Sequence, residues 1–166
     1  IHLLTEPGEL IVIENCDFIR RISLPGTVVW ERRLPGRVSS SAGRPSGECA
    51  VFFEDLRLAI LDRHGKVMGE YASTRPLMVA DLSEGWVTAT LDEQVLRAHA
   101  DDGSVLWSIP LPWEPWSLSR VEESIVVSSV TGESMIVSAT GKALAPALKT
   151  GRQPQFMKDR KGRLCW

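Results

Sequence analysis

Apolar residues in this chain fall in short runs broken by polar turns, not at helical spacing. Leu10-Ile11-Val12-Ile13, Cys49-Ala50-Val51-Phe52-Phe53, Trp86-Val87-Thr88-Ala89-Thr90 and Ile125-Val126-Val127 are each followed by a polar turn and a second run: Phe18–Ile22, Leu56–Leu61, Val95–Ala100 and Met135–Val137. A glycine turn then leads into a third run: Val28–Trp30, Val67–Tyr71, Val105–Trp107 and Ala143-Leu144. Runs this short, bounded by turn residues, predict strands. Leu3-Leu4 adds an opening strand, giving four strands per unit.

Glycine fixes the period. Gly26, Gly65, Gly103 and Gly141 recur at intervals of 39, 38 and 38 residues, and a second comb of Gly8, Gly47, Gly85, Ser124 and Gly162 is spaced 39, 38, 39 and 38. Glycine accepts the positive φ of a tight hairpin connection, and an Asp before it can bond back to the backbone. One four-stranded unit cannot bury both faces of its own sheet, so units of this length stack radially as the blades of a β-propeller, β-solenoid coils usually being shorter. The expected fold is all-β, with blades at about 1–35, 36–74, 75–112 and 113–151. Residues 152–166 supply the first two strands of a fifth, Phe156-Met157 and Leu164-Cys165-Trp166, around a turn at 159–162. The expectation is a larger or shared ring, completed by more of the same polypeptide, another subunit or a second copy, because open strand edges recruit other chains.

The segment Ala98-His99-Ala100-Asp101-Asp102-Gly103-Ser104-Val105-Leu106-Trp107 resembles the repeat of the pyrroloquinoline-quinone-type, or quinoprotein-like, β-propellers, which are WD40-like in architecture. Trp30 stands at the same distance from Gly26, Tyr71 lies two positions further along its unit, and the fourth unit has Ala145 instead. The resemblance implies that Trp30 and Trp107 tie an outer strand to the neighbouring blade. It implies no catalytic residue here: the adjacent cysteine pair and the Glu, Asn and Asp metal ligands of the quinone dehydrogenases have no identifiable match. Non-enzymatic members of that fold serve as assembly scaffolds.

Composition narrows the classes. The chain has 166 residues, 19 basic and 21 acidic, for a formal net charge of −2, which gives no broad electrostatic reason to expect nucleic acid. No window has the roughly 18 continuous apolar residues of a membrane span. Three separated cysteines (16, 49, 165) fit neither a disulfide framework nor a zinc spacing and favour a reducing compartment, expected to be the cytoplasm with the periplasm as the alternative. The start at Ile1 looks cut from something longer. His2, His64 and His99 occupy different repeat positions and predict no metal site, and Asp101-Asp102-Gly103 reads as a hairpin turn, not a calcium loop. Ser39-Ser40-Ser41 and Ser128-Ser129 lack a nucleophile-elbow setting and read as solvated strand ends and turns. No catalytic, cofactor or metal residue is expected.

Repeat phase gathers one candidate surface. The turn between second and third strands is acidic in each unit: Glu14 and Asp17, Glu54 and Asp55, Asp92 and Glu93, then Glu133. It shares an end of the blade with the linkers to the next unit, read as holding Arg37 and Arg44, Arg75, Trp113-Glu114-Pro115-Trp116, then Arg152 and Pro154. Trp113, Trp116, Arg37, Arg75, Glu54, Asp55, Asp92 and Glu93 are therefore candidates for binding a protein partner, Trp and Arg being frequent interface anchors. The competing reading has solvated acids and tryptophans that fill a seam between blades. Lys158, Arg160, Lys161 and Arg163 read as a solvated turn. Function is expected to be a non-catalytic interaction or assembly scaffold, the alternative being a fragment of a quinone-dependent dehydrogenase or another small-ligand propeller enzyme.

Overall fold

The glycines of the first comb adopt φ of 127, 76, 87 and 81° at positions 26, 65, 103 and 141, a region that side chains disfavour. Each closes a turn by donating its N–H to the carbonyl three residues back: Ser23, Asp62, Ala100 and Ser138. Asp62 Oδ1 accepts from the N–H groups of His64 and Lys66 at 2.8 Å, and Asp102 Oδ1 from Ser104 at 2.9 Å, so the acidic turn residues bond locally.

These turns join four antiparallel sheets in the computed structural model, which describes residues 2–4, 8–24, 26–73, 77–90, 93–144, 148–149, 157–158 and 164–165. Blade 1 holds β1 (His2–Leu4), β2 (Glu9–Glu14), β3 (Phe18–Ser23) and β4 (Thr27–Arg33). Blade 2 holds β5 (Val38–Gly43), β6 (Cys49–Phe53), β7 (Arg57–Leu61) and β8 (Val67–Ala72). Blade 3 holds β9 (Leu77–Leu82), β10 (Gly85–Thr90), β11 (Val95–His99) and β12 (Val105–Pro110). Blade 4 holds β13 (Pro115–Val121), β14 (Ser124–Ser129), β15 (Glu133–Ser138) and β16 (Leu148–Lys149). A two-stranded pair follows, β17 (Met157–Lys158) with β18 (Leu164–Cys165). Among the described residues there is no helix, and hence none able to cross a membrane.

Successive first strands lie side by side: β1 against β5, β5 against β9, β9 against β13. They form the inner layer, and β4, β8 and β12 form the outer rim. Burial follows that order. β6 and β10 are buried along their whole length, whereas β4, β8 and β12 mix exposed and half-buried positions.

Ser39, Ser40 and Ser41 lie inside inner strand β5, and Ser128 and Ser129 are buried in β14, against the expectation of solvated strand ends. Short hydroxyls suit these positions because they find partners at once: Ser40 Oγ accepts from the Val79 N–H at 3.3 Å, and Ser128 Oγ pairs with Ser134 Oγ at 2.9 Å. Pro115 and Trp116, read as linker, open inner strand β13. Arg44, also assigned to a linker, lies in the turn between β5 and β6 at the opposite end of the blade and is buried. Arg75, Asp92, Ala145, Arg152, Pro154, Phe156, Arg160, Lys161, Arg163 and Trp166 fall outside the described residues.

Candidate functional site

The linker end of the blades is held by one repeated backbone device. The linker after the outer strand donates an N–H to the carbonyl of the turn between second and third strands: Leu34 to Asp17, Ser73 to Leu56 and Leu111 to Gln94. Those turns carry the acidic candidates, and arginines meet them. Arg37 Nε stands 3.7 Å from Glu54, Arg57 Nη2 2.7 Å from Asp55, Arg97 Nη1 2.7 Å from Glu93, and Arg33 Nη2 3.1 Å from Asp17. The acidic turns are thus a surface of alternating charge rather than a negative ring. The Arg57 side chain, hydrogen-bonded to Asp55, holds that carboxyl below its usual range. The two tryptophans part company. Trp113 is half-buried and packs on the cluster between blades 3 and 4. Trp116 is 57% exposed, at a register shift between Pro115 and Ser117 that turns it out of the β13–β14 ladder.

The outer rim is locked blade to blade by aromatics. Trp30 Nε1 donates to the Arg63 carbonyl at 2.8 Å, Trp107 Nε1 to the Ala139 carbonyl at 2.8 Å, and the Tyr71 hydroxyl to the Asp101 carbonyl. Each ring lies on the turn glycine of the following blade, where a Cβ would stand 2.9 Å from the Trp30 ring at Gly65 and 2.8 Å from the Trp107 ring at Gly141. Tyr71, two places late in its strand, leans back over Gly69, where any side chain would collide with it. Burial and the carboxylates of Asp102 and Asp101 push its phenol above the usual value of 10, which keeps the donor proton in place.

Between the blades the seams differ. Ile11, Ile13 and Ile19 meet Cys49, Val51, Phe53, Ala59 and Leu61 in the first seam. Val87, Ala89, Leu96 and Ala98 meet Ile125, Val127 and Val137, with Met135, in the third. In the second, blade 2 offers Ala50, Phe52, Leu58 and Ile60, and blade 3 answers with Val79 and Trp86 and then polar residues. Strand pairing sets Trp86 opposite His99 and Thr88 opposite Arg97, where blade 2 has Cys49 opposite Leu61 and Val51 opposite Ala59. Alternation along β10 and β11 thus makes Thr88, Thr90, Arg97 and His99 one wall.

That wall faces a groove of about 480 Å³, which Leu58, Tyr71, Ala72 and Ser73 of blade 2 close from the other side. Thr88 Oγ1 and His99 Nε2 are 3.1 Å apart. Burial lowers the His99 pKa from 6.5, opposed by a hydrogen bond to the Gly103 backbone and helped by the charge on Arg97, so the ring is neutral at pH 7. Thr90 is 4% exposed and its hydroxyl has no hydrogen-bond partner among the described residues. A buried orphan of this kind costs about 1–3 kcal/mol. At one end the seam is sealed: the Arg44 guanidinium lies 4.2 Å over the Trp86 ring and 2.8 Å from Asp101, which also accepts from Trp86 Nε1 at 2.9 Å. Asp101 is therefore a seam anchor within its hairpin turn. Among the described residues no group of three His, Cys, Asp or Glu side chains is placed to hold a metal ion.

Of the eight surface candidates, the structure brings Arg37 to Glu54, sets Asp55 on Arg57 and places Glu93 on the groove rim. The groove wall escaped the sequence reading. Its signal was present as the polar alternation Thr88, Thr90 and Arg97, His99, where blade 2 has Val51, Phe53 and Ala59, Leu61.

No protein-family model matches the chain, and no curated protein sequence matches it. Solved structures do. It is similar to BBS1N, in a structure of its complex with ARL6DN (TM-score 0.76, 15% identity, 90% of this chain and 53% of that one). It is also similar to BamB from Moraxella catarrhalis (TM-score 0.68, 8% identity, 87% and 47%) and to a streptogramin B lyase (TM-score 0.70, 15% identity, 89% and 53%). The chain spans about half the length of these structures. At such identities the likeness shows fold alone, and with four radially packed four-stranded sheets that fold is a β-propeller.

Proposed function

We infer that the chain is a non-catalytic interaction or assembly scaffold that binds a protein partner at the linker end of its blades. The observation that carries this reading is Trp116. A tryptophan 57% exposed on a strand bulge contributes little to the core, and Trp is among the residues that most often anchor interfaces. Arg37, Glu54, Asp55 and Glu93 supply a charged rim for choosing the partner. BBS1N was solved bound to another protein, which supports a binding role for a fold of this shape. The reading keeps the quinoprotein-type repeat as a source of architecture only, a cytoplasmic setting, and a ring completed by further blades from the same polypeptide, another subunit or a second copy.

A photo-crosslinking residue in place of the exposed Glu114 beside Trp116, with Leu106 on the outer rim as control, identifies the partner. Trp116→Ala is then expected to weaken the purified complex about tenfold or more. The melting temperature should not change. A fall in melting temperature with unaltered binding would show Trp116 to be a packing residue and end the reading.

A further inference from the structure

We propose that the groove between blades 2 and 3 seats an extended, uncharged peptide segment whose side chains alternate polar and apolar. The proposal rests on the scaffold reading only in taking the occupant from a protein; its site is separate from Trp116.

The shape comes first. The lining runs from Thr90 and Glu93 beside one end of β11 to His99 and Gly103 beside the other. Five residues of strand span about 17 Å. A groove that long with a volume of about 480 Å³ is narrow, the form of an extended chain and not of a compact ring system.

The walls come next. Blade 2 presents Leu58, Tyr71 and Ala72, and blade 3 presents Thr88, Thr90, Arg97 and His99. An extended chain sends successive side chains to opposite sides. A segment of period two therefore satisfies both walls at once, which a helix or a uniformly apolar segment cannot do.

Charge and hydrogen bonding then select among such segments. Arg97 is already paired with Glu93 at 2.7 Å, and burial keeps His99 neutral, so the wall has no unbalanced charge to offer an acidic or basic ligand. It offers hydroxyls. Thr90 Oγ1, buried and unpartnered, can both donate and accept, which fits a Ser, Thr, Asn or Gln side chain or a peptide amide. The equivalent place in blade 4 is filled by Ser129, whose hydroxyl is satisfied by Glu133 at 2.6 Å and Thr131 at 3.0 Å. The unpartnered hydroxyl is that of blade 3.

The test is a nuclear magnetic resonance titration of the full chain with three probes: the capped pentapeptide Thr-Val-Thr-Val-Thr, its block isomer Thr-Thr-Thr-Val-Val, and maltose. The alternating peptide is expected to shift the methyl signals of Leu58, Thr88 and Thr90 and the ring signals of His99, saturably, and to bind about tenfold more tightly than the isomer. Thr90→Val, which preserves shape, should weaken it about five- to tenfold, the worth of one buried hydrogen bond. Thr90→Ser should restore it, and Trp116→Ala should leave it unchanged. Equal binding of the two isomers, shifts that avoid the groove, or a stronger response to maltose overturns the proposal. If Trp116→Ala abolishes partner capture while no peptide enters the groove, the groove assignment alone is lost. If the peptide binds and Trp116→Ala does not affect capture, the groove stands and the linker-end reading falls.

Discussion

The first and third seams of this propeller are closed by aliphatic and aromatic side chains from both sides, whereas in the second blade 3 adds only Val79 and Trp86 to the apolar cluster and lines the rest with polar side chains. The backbones are equivalent, with the same strand order, the same glycine turns and the same aromatic lock at the rim. The difference lies in four side chains on one wall. Burying polar groups where neighbouring repeats bury Val, Ala and Leu sacrifices stability, and natural proteins break a local rule in this way mainly where a site requires it. The contrast teaches where to look in a repeat protein: at the position whose chemistry departs from its own counterparts, more than at any residue singly.

Thiol labelling gives the largest separation between seams. Burial, aided by the charge of Glu48 and countered by Arg21, pushes the Cys49 thiol up to about 12, and its side chain is fully covered in the first seam. Cys49 should therefore react with iodoacetamide only as fast as the seam opens, while a Thr88→Cys replacement in the second seam reacts at least ~100-fold faster. Comparable rates would mean that the second seam is as tight as the first.

Phe53→Ala removes a fully buried ring from the first seam and is expected to cost about 3–5 kcal/mol in urea denaturation. Converting the polar wall to that of blade 4, by Thr88→Val, Arg97→Met and His99→Val together, should act in the opposite direction. A gain of about 1–2 kcal/mol is expected, since a polar set is replaced by side chains already proven in that register. A loss would show the polar wall to be structural.

The pH response belongs to the same wall. The folded pKa of His99 lies below 6.5, so the unfolded chain takes up its proton first as the solution is acidified. The stability contributed by the neutral ring is whole above about pH 6.5 and is lost as pH falls from there toward the folded pKa. Melts at pH 7.5 and 5.5 should show this loss, and the His99→Val chain should lose less over the same interval; equal losses would remove His99 from the account. The smallest effect is that of Thr90→Val alone, a stabilisation of about 1 kcal/mol, the low end of the orphan's cost, as the hydroxyl disappears.

The fold was legible in the sequence because the glycines that mark it are demanded by geometry. Positions 65, 103 and 141 combine positive φ with an aromatic ring where a Cβ would be, so two separate constraints keep glycine there. The roles of Trp30 and Trp107 came with the resemblance of their repeat to the quinoprotein-type unit, and the rim hydrogen bonds match them. Inner strands β5 and β13 were not legible, since Val38–Gly43 and Pro115–Val121 carry serines and a bulge and lack the apolar run by which strands are found. Arg44 was misplaced for a related reason: with β5 unseen, the end of the blade on which its turn falls is inverted. Of the candidate surface, charge pairing was hidden because the arginines that meet the acids come from strand positions, Arg57 and Arg97, as well as from linkers.

The rim lock has a direction: an aromatic of one blade enters the glycine socket of the next, and never the reverse. Blades 2 and 3 each carry one plug and one socket, so duplication of either whole unit reproduces a compatible joint on both sides. Such an array can lengthen by duplication of a unit, or shorten by loss of one, without a new seam being invented. Tyr71, displaced by two residues yet reaching the same carbonyl position, shows how much drift in the plug the socket tolerates.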